Sequence, residues 1–435
     1  MAVPRRRPNR TLTGLRAALG MTQEAYAHAV GVSEREVRDW EAGRVRCPQT
    51  FALHRLHALH GTTEAEDLGF VSRRPAPPLG TVRTSDPETT EAAVYRRNLL
   101  GLVLTAAFSA QHLPPISKLL AQDDPYQRQV GRPDIDRIVR ANSDLTSADL
   151  TVGGAAVAPD VLMRLFRSKA ALLHGRYASE ASRQAAHSAV AHLGSTIGWM
   201  LYDSGRHLAS RQLYVASLRV AGSADDVWPL RAVICSEMAR QALHCGGPAE
   251  AGELIGIAHS ADSHLPAAAR AELHAISATI AAITGDRSRT LDHIARAETE
   301  FADARPHNDP TWIAWFTAAE LSGDTGDAVA ALAQHHDDLR DDAAARLTAA
   351  ATDHSPNSQR SAALAWTQLA QLHAARSSSP LAAHAAHQAV DLAERLRSPR
   401  LTETLTAATN TLSTLDTHPD LDAALTRIRA LQPAV

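Results

Sequence analysis

The chain has little cysteine, few aromatic residues and almost no lysine. Its three cysteines, Cys47, Cys235 and Cys245, include no CxxC pair, which excludes a disulfide framework and fits a reducing cytoplasm. Only 4% of the 435 residues are aromatic, so a core must be built from alanine, leucine, valine and isoleucine. Because alanine is the strongest helix former, this composition favours an all-α protein of two or three domains.

Membrane spans and common catalytic motifs are also missing. The apolar run Leu99–Phe108 is about half the length that a membrane span needs, and no apolar signal-peptide region follows the basic start. The sequence has no P-loop, dinucleotide fingerprint, HExxH or nucleophile elbow, so we expect no enzyme and no cofactor. Histidines recur three residues apart, but without the converging ligands of a metal site, so we predict none at His54, His57, His60, His384 and His387. We therefore expect a cytoplasmic protein that does not bind membranes.

The segment Met21–Cys47 has the pattern of two short helices joined by a tight turn. Ser33 stands where a helix N-cap belongs, and Glu36 completes a capping box with it. Gly31 lies between the helices, where a left-handed residue allows a sharp turn. Trp40 and nearby valines supply a shared core. This pattern predicts a helix-turn-helix of the kind that binds DNA.

The match extends beyond the turn, over Arg10–Gly61. This region resembles the whole DNA-binding domain of the lambda-type repressors, known as the XRE family. The resemblance depends on these residues: Leu12, Leu15, Arg16, Met21, Thr22, Gln23, Ala27, Gly31, Val32, Ser33, Val37, Trp40, Glu41, Gly43 and Pro48.

The resemblance implies roles for several side chains. In that family the glutamine matching Gln23 binds a DNA phosphate, and the residues matching Arg16 and Glu41 form an internal ion pair. The recognition helix, which enters the major groove, would carry Ser33, Glu34, Arg35, Arg38 and Asp39.

Charge supports a DNA-binding role for this end of the chain. Residues 1–60 carry ten arginines and five acidic residues, a net +5, whereas the whole chain is −3. A basic module on an acidic body is typical of phosphate binding. Arg44 and Arg46 are therefore further candidates. The arm that carries Arg5, Arg6 and Arg7 could lie along the DNA backbone or in a minor groove, or could be a solvated tail.

The recognition helix is unusually acidic, and this leaves an alternative open. Glu36 has a capping role, and Glu34 could accept a hydrogen bond from a cytosine amine. Asp39 has no such explanation. The alternative is a vestigial helix-turn-helix that binds protein, in a scaffold or adaptor.

Composition then divides the remaining chain. Residues 62–91 are rich in proline and predict an extended linker. Residues 92–155 predict connector helices. From residue 156 to 435 helical hairpins recur, with turns expected at Gly205, Gly246, Gly285 and Gly323, at intervals of 41, 39 and 38 residues. A steady period near forty predicts an array of helical repeats, an α-solenoid.

The array resembles a tetratricopeptide-repeat (TPR) domain, most closely from Gly205 to Ala221. A repressor-type domain followed by such repeats is similar to peptide-sensing regulators of Gram-positive bacteria, and more so to the actinomycete regulators of this plan. We therefore expect a transcription regulator that binds a double-stranded operator as a homodimer, with an array that senses a peptide or small molecule. Aromatic candidates for that groove, which could equally be core residues, are Tyr202, Tyr214, Trp228, Trp312 and Trp315.

Overall fold

The computed structural model describes residues 9–18, 21–30, 32–45, 56, 70, 129–222, 227–305, 309–310, 312–416 and 418–431. Several predictions concern positions outside these ranges: Arg5, Arg6, Arg7, Gly31, Arg46, His54, His57, His60, the linker 62–91 apart from Phe70, and the connector residues 92–128.

The chain divides into two compact units, Met1–Pro87 and Glu88–Val435. In both units the described residues are almost entirely helical, in agreement with the predicted all-α class. No helix within the described ranges has the length and apolar character needed to cross a membrane.

Within the described residues of the first unit lie three short helices, α1 (Arg10–Ala18), α2 (Gln23–Val30) and α3 (Glu34–Glu41). They enclose a small core whose buried members are Leu12, Tyr26, Ala27, Val30, Val37, Trp40, Leu56 and Phe70. Phe70 packs edge-on against Trp40, with ring centroids 6.3 Å apart. This unit therefore extends past the predicted boundary at residue 61.

In the second unit, the described residues include a short parallel strand pair, β1 (Gln129–Val130) with β2 (Arg176–Tyr177), in which Gln129 pairs with Arg176. The α-helices among these described residues are α4 (Arg132–Val152), α5 (Pro159–Ala170), α6 (Glu180–Asp203), α7 (His207–Ala221), α8 (Val227–His244), α9 (Pro248–His259), α10 (Ala267–Ile283), α11 (Arg287–Ala302), α12 (Ala318–Ala333), α13 (Arg340–Asp353), α14 (Gln359–Ala375), α15 (Ser379–Ala393), α16 (Pro399–Leu412) and α17 (Pro419–Ala430). Short 3-10 turns lie at Gly154–Ala156, Ala171–His174, Asp262–His264 and Asp337–Leu339.

From α6 onward the helices pack as consecutive hairpins, each helix against the next one along the chain. The first helix of each hairpin but the last, which is α6, α8, α10, α12 or α14, also packs against the first helix of the following hairpin. The interior is built largely of alanine and leucine, as the composition predicts. The expected helical hairpins are therefore present.

The hairpin turns confirm three of the four predicted positions. Gly205, Gly246 and Gly285 each have φ between +74° and +77°, a conformation that favours glycine. The turn predicted at Gly323 is wrong, because this glycine lies inside α12. The reason is that α12 already begins after the N-cap Thr317 and continues through Gly323, where a Cβ would make only an ordinary contact, 3.5 Å from Ala350 of α13.

Glycine also brings α6 and α7 together. A Cβ at Gly198 would lie 2.7 Å from the Tyr214 ring, and one at Gly194 would lie 2.1 Å from the Ser217 hydroxyl. These helices can approach this closely only because both positions lack a side chain.

The two ends of the array contact each other through buried charges. Arg360, at the start of α14, makes a bidentate ion pair with Asp149 of α4, at 2.7 and 2.8 Å. Its Nη1 also lies 3.1 Å from Asp203, the last residue of α6. Arg400 of α16 donates to the other Asp203 oxygen at 3.0 Å. We call Asp149, Asp203, Arg360 and Arg400 the closure cluster, because it joins the last two hairpins to the first.

Candidate nucleic-acid interface

The recognition helix α3 begins with the predicted capping box. The Ser33 hydroxyl accepts a hydrogen bond from the Glu36 backbone N–H, and the Ser33 N–H donates to the Glu36 carboxylate at 2.8 Å. Both bonds satisfy backbone groups that a helix N-terminus leaves unpaired. Glu36, one of the four acids on this helix, therefore has a structural role.

An ion pair holds α3 against the rest of the unit. Arg16 donates from Nε to Oε1 of Glu41 at 2.6 Å and from Nη1 to the Met21 carbonyl at 2.6 Å. Burial opposes ionisation of Glu41, but the hydrogen bonds from Arg16 and Gln23 outweigh it and lower the pKa of the carboxyl. The implied internal ion pair between Arg16 and Glu41 is thus present.

Gln23 has a partner inside the protein. Its side-chain amide donates to Oε2 of Glu41 at 2.6 Å. This contact orients the glutamine at the start of α2. The phosphate contact implied for Gln23 by the resemblance stays a prediction.

The exposed face of α3 carries both charge signs. Arg38 pairs with Glu34 one turn earlier at 2.7 Å, and their side chains are 56% and 48% exposed. Arg44 pairs with Asp39 at 2.6 Å, and also stands on the surface. Arg35 is exposed and forms no hydrogen bond or ion pair with any residue that the structure describes. Of the three guanidinium groups on or just after α3, that of Arg38 pairs with an exposed acid and that of Arg44 pairs with a half-buried one.

The aromatic residues predicted for an effector groove divide into two groups. Tyr202 and Tyr214 are 2% and 0% exposed, so neither presents a surface to a ligand in this structure. Burial strongly raises the pKa of the Tyr214 hydroxyl. Three others, Trp228, Trp312 and Trp315, are half-buried against the core. Whether any of these residues contacts an effector stays a prediction.

Arginines cover several of these rings. The Arg400 guanidinium lies 5.0 Å from the centroid of Tyr202, and that of Arg240 lies 5.5 Å from Trp315. Such cation–π contacts add stability where solvent is excluded. The aromatic side chains thus help to hold the charged interior of the array.

A second group of charged residues inside the array is centred on Arg240 of α8. Arg240 reaches Glu272 of α10 at 3.3 Å and Asp324 of α12 at 2.6 Å, so one side chain links three hairpins. Glu237, one turn before Arg240, accepts a hydrogen bond from the Ser195 hydroxyl. Burial raises the pKa of Glu237 to about 8, and burial together with the charge of Asp324 raises that of Asp327 to about 8. These carboxyls are therefore largely protonated at neutral pH.

The sequence predicted neither the charged group around Arg240 nor the closure cluster. Arg360 and Asp149 are 211 residues apart, so no local pattern connects them. A usable signal was the set of charged residues on helices that are otherwise rich in alanine, since a buried charge needs a partner.

Comparison with known proteins supports the assignment of a helix-turn-helix domain to the first unit. Residues 10–68 match a family model described as a helix-turn-helix domain, a span that contains α1, α2 and α3. No curated protein and no solved structure matches the chain. The chain therefore carries a repressor-type helix-turn-helix domain, and this kind of domain is typical of DNA-binding regulators.

Proposed function

We propose that this protein is a sequence-specific transcription regulator and not an enzyme, and that α3 enters the major groove of an operator. The observation that carries the proposal is the exposed Arg35 on a capped helix that is fixed by the Arg16–Glu41 ion pair. Guanidinium groups commonly recognise guanine by bidentate hydrogen bonds. The +5 charge of residues 1–60 favours approach to a duplex.

The acids on α3 do not prevent this role. Solvent-exposed i,i+4 pairs such as Glu34–Arg38 are worth only about 0.3–0.5 kcal/mol. A guanine or phosphate contact is worth more than that, so Arg38 can leave Glu34 when DNA binds. Arg44 can exchange Asp39 for a phosphate in the same way.

The test is an electrophoretic mobility shift with the full chain. We expect Arg35→Ala and Arg38→Ala each to weaken operator binding by about 1–3 kcal/mol, roughly five- to 150-fold, if each side chain contacts a base. Arg132→Ala is a matched control, because Arg132 is also exposed and also pairs with an acid one turn away, Asp136. The assignment of α3 fails if both α3 variants bind as the control does.

We further propose that the protein is a homodimer and that its TPR-like array senses a peptide or small molecule. Repressor-type domains bind half-sites about one helical turn apart, which calls for two copies. The closure cluster motivates this proposal, because a ligand that binds the closed array better or worse than an open one would change the balance between these two arrangements. An effector shifts such an equilibrium only by its differential affinity for the two. Sedimentation of the full chain, alone and with a symmetric operator duplex, tests the stoichiometry.

One observation favours a protein-binding adaptor instead. Two of the three described arginines on or just after α3, Arg38 and Arg44, are already paired with acids. Salt dependence separates the two functions, because DNA binding through arginines weakens steeply as salt rises. A protein that fails to bind any duplex at low salt, yet retains a protein partner, would be the adaptor.

A further inference from the structure

Three side chains of metal-ligand type converge where the last hairpin meets the first two. His207 is the first residue of α7, His244 is the last residue of α8, and Glu403 lies in α16. One potential ligand atom from each lies within 4.8 Å of the other two. Nε2 of His244 and Oε2 of Glu403 are 3.4 Å apart. Among the described residues, these three side chains form the one group of histidine, cysteine or acidic ligands that converges within this distance.

The distances suit a tetrahedral divalent ion. Zinc binds histidine nitrogen and carboxylate oxygen at about 2.0–2.2 Å, which places two ligand atoms of one tetrahedron roughly 3.3–3.6 Å apart. The His244–Glu403 separation is already in that range. The ligand atoms all lie within 4.8 Å of one another, so the third ligand needs a movement of at most about 1.5 Å, which side-chain rotation can supply for a partly exposed site. Two histidines and one glutamate form a known kind of zinc donor set, with a fourth position open to water.

Neighbouring groups hold the imidazoles in place. The Tyr202 ring packs against both, with centroids 5.8 Å from His207 and 5.6 Å from His244. Gln241 is fully buried; its amide donates to the His207 carbonyl at 3.0 Å and lies 3.5 Å from Nδ1 of the same residue. Its Oε1 is buried and has no hydrogen-bond partner among the described residues. The Tyr202 ring and the Gln241 amide therefore hold His207 in position beside His244.

We propose that His207, His244 and Glu403 form a binding site for a divalent transition metal, with zinc as the best-suited ion. Because its ligands come from the first, second and last hairpins, the bound ion would join the last hairpin to the first, as Arg400 and Asp203 of the closure cluster do. It would stabilise the closed array in proportion to its free concentration relative to the dissociation constant. The proposal does not depend on whether the first unit binds DNA.

The experiment uses the full chain, stripped of metal with a chelator and then titrated with buffered zinc. We expect one zinc per chain by elemental analysis, an increase in Tm with zinc, and the visible absorption of tetrahedral cobalt when Co²⁺ is used as a probe. His244→Gln and Glu403→Gln should each weaken zinc binding by at least tenfold. Both side chains are partly exposed, at 24% and 54%, so the variants should fold, which circular dichroism can confirm.

Two controls sharpen the result. His274→Gln removes a histidine that contacts two other imidazoles elsewhere in the array, so it should leave zinc binding unchanged. Cys245→Ser should also leave it unchanged, because Cys245 is not one of the converging ligands. The proposal is overturned if the wild-type chain takes up no zinc, if His244→Gln and Glu403→Gln bind as wild type, or if loss of binding follows Cys245 instead of Glu403.

Discussion

Removal of the Arg360 side chain should open the array. Arg360→Met keeps much of the apolar stem but leaves Asp149, whose side chain is 7% exposed, without its bidentate partner. Asp203 keeps Arg400, the Ser398 hydroxyl and the Gly154 N–H, so the uncompensated charge is that of Asp149. Breaking one side of a buried ion pair costs about 3–5 kcal/mol. We expect this loss in the free energy of unfolding, measured by urea denaturation followed by circular dichroism.

A matched variant isolates the effect of burial. Arg287→Met also removes a bidentate ion pair, with Asp338, but that pair is on the surface, so its loss should change the free energy of unfolding far less. Adding Asp149→Asn to Arg360→Met should restore part of the loss, because it removes the stranded charge. If Arg360→Met costs no more than Arg287→Met, the closure cluster does not hold the ends of the array together.

Three further predictions test other parts of the structure. The pKa of Glu237 is raised to about 8 in the folded chain, so the free energy of unfolding falls as the pH rises from about 4.5 through 8. Glu237→Gln should therefore be more stable than wild type by on the order of 1–3 kcal/mol at pH 9 but not at pH 5, measured by denaturation at each pH. Gly198→Ala should cost about 1–3 kcal/mol by overpacking against Tyr214, while Gly256→Ala, whose Cβ would meet open space, should not lower Tm. Glu34→Gln should raise affinity for non-operator DNA by about twofold or more, since it frees an arginine, and unchanged affinity in a low-salt titration would contradict this.

Local features of the sequence predicted the DNA-binding unit well. The capping box of Ser33 and Glu36 involves neighbours three residues apart, and such patterns are visible in the chain itself. The Arg16–Glu41 ion pair followed from the family resemblance and is present. The partner of Gln23 did not follow, because the resemblance describes a DNA-bound state and the free side chain turns to Glu41.

In the array, the repeat was predictable but its closure was not. The spacing of Gly205, Gly246 and Gly285 is visible in the sequence, and all three have the positive φ of a turn. The turn expected at Gly323 was wrong because a helix interior also tolerates glycine, and sequence alone does not separate this position from a turn. The contact of Arg360 with Asp149 depends on the summed rotation of all the hairpins between them, which no local pattern encodes.

The central claim, that α3 reads an operator as part of a dimer, is tested most directly by selecting bound sites from random duplex DNA with the full chain. Two repressor-type domains should enrich a motif with two-fold symmetry and half-sites about ten base pairs apart. Arg35→Ala should relax the base preference at one position of each half-site. Repeated selection at low salt that enriches no sequence would contradict the claim.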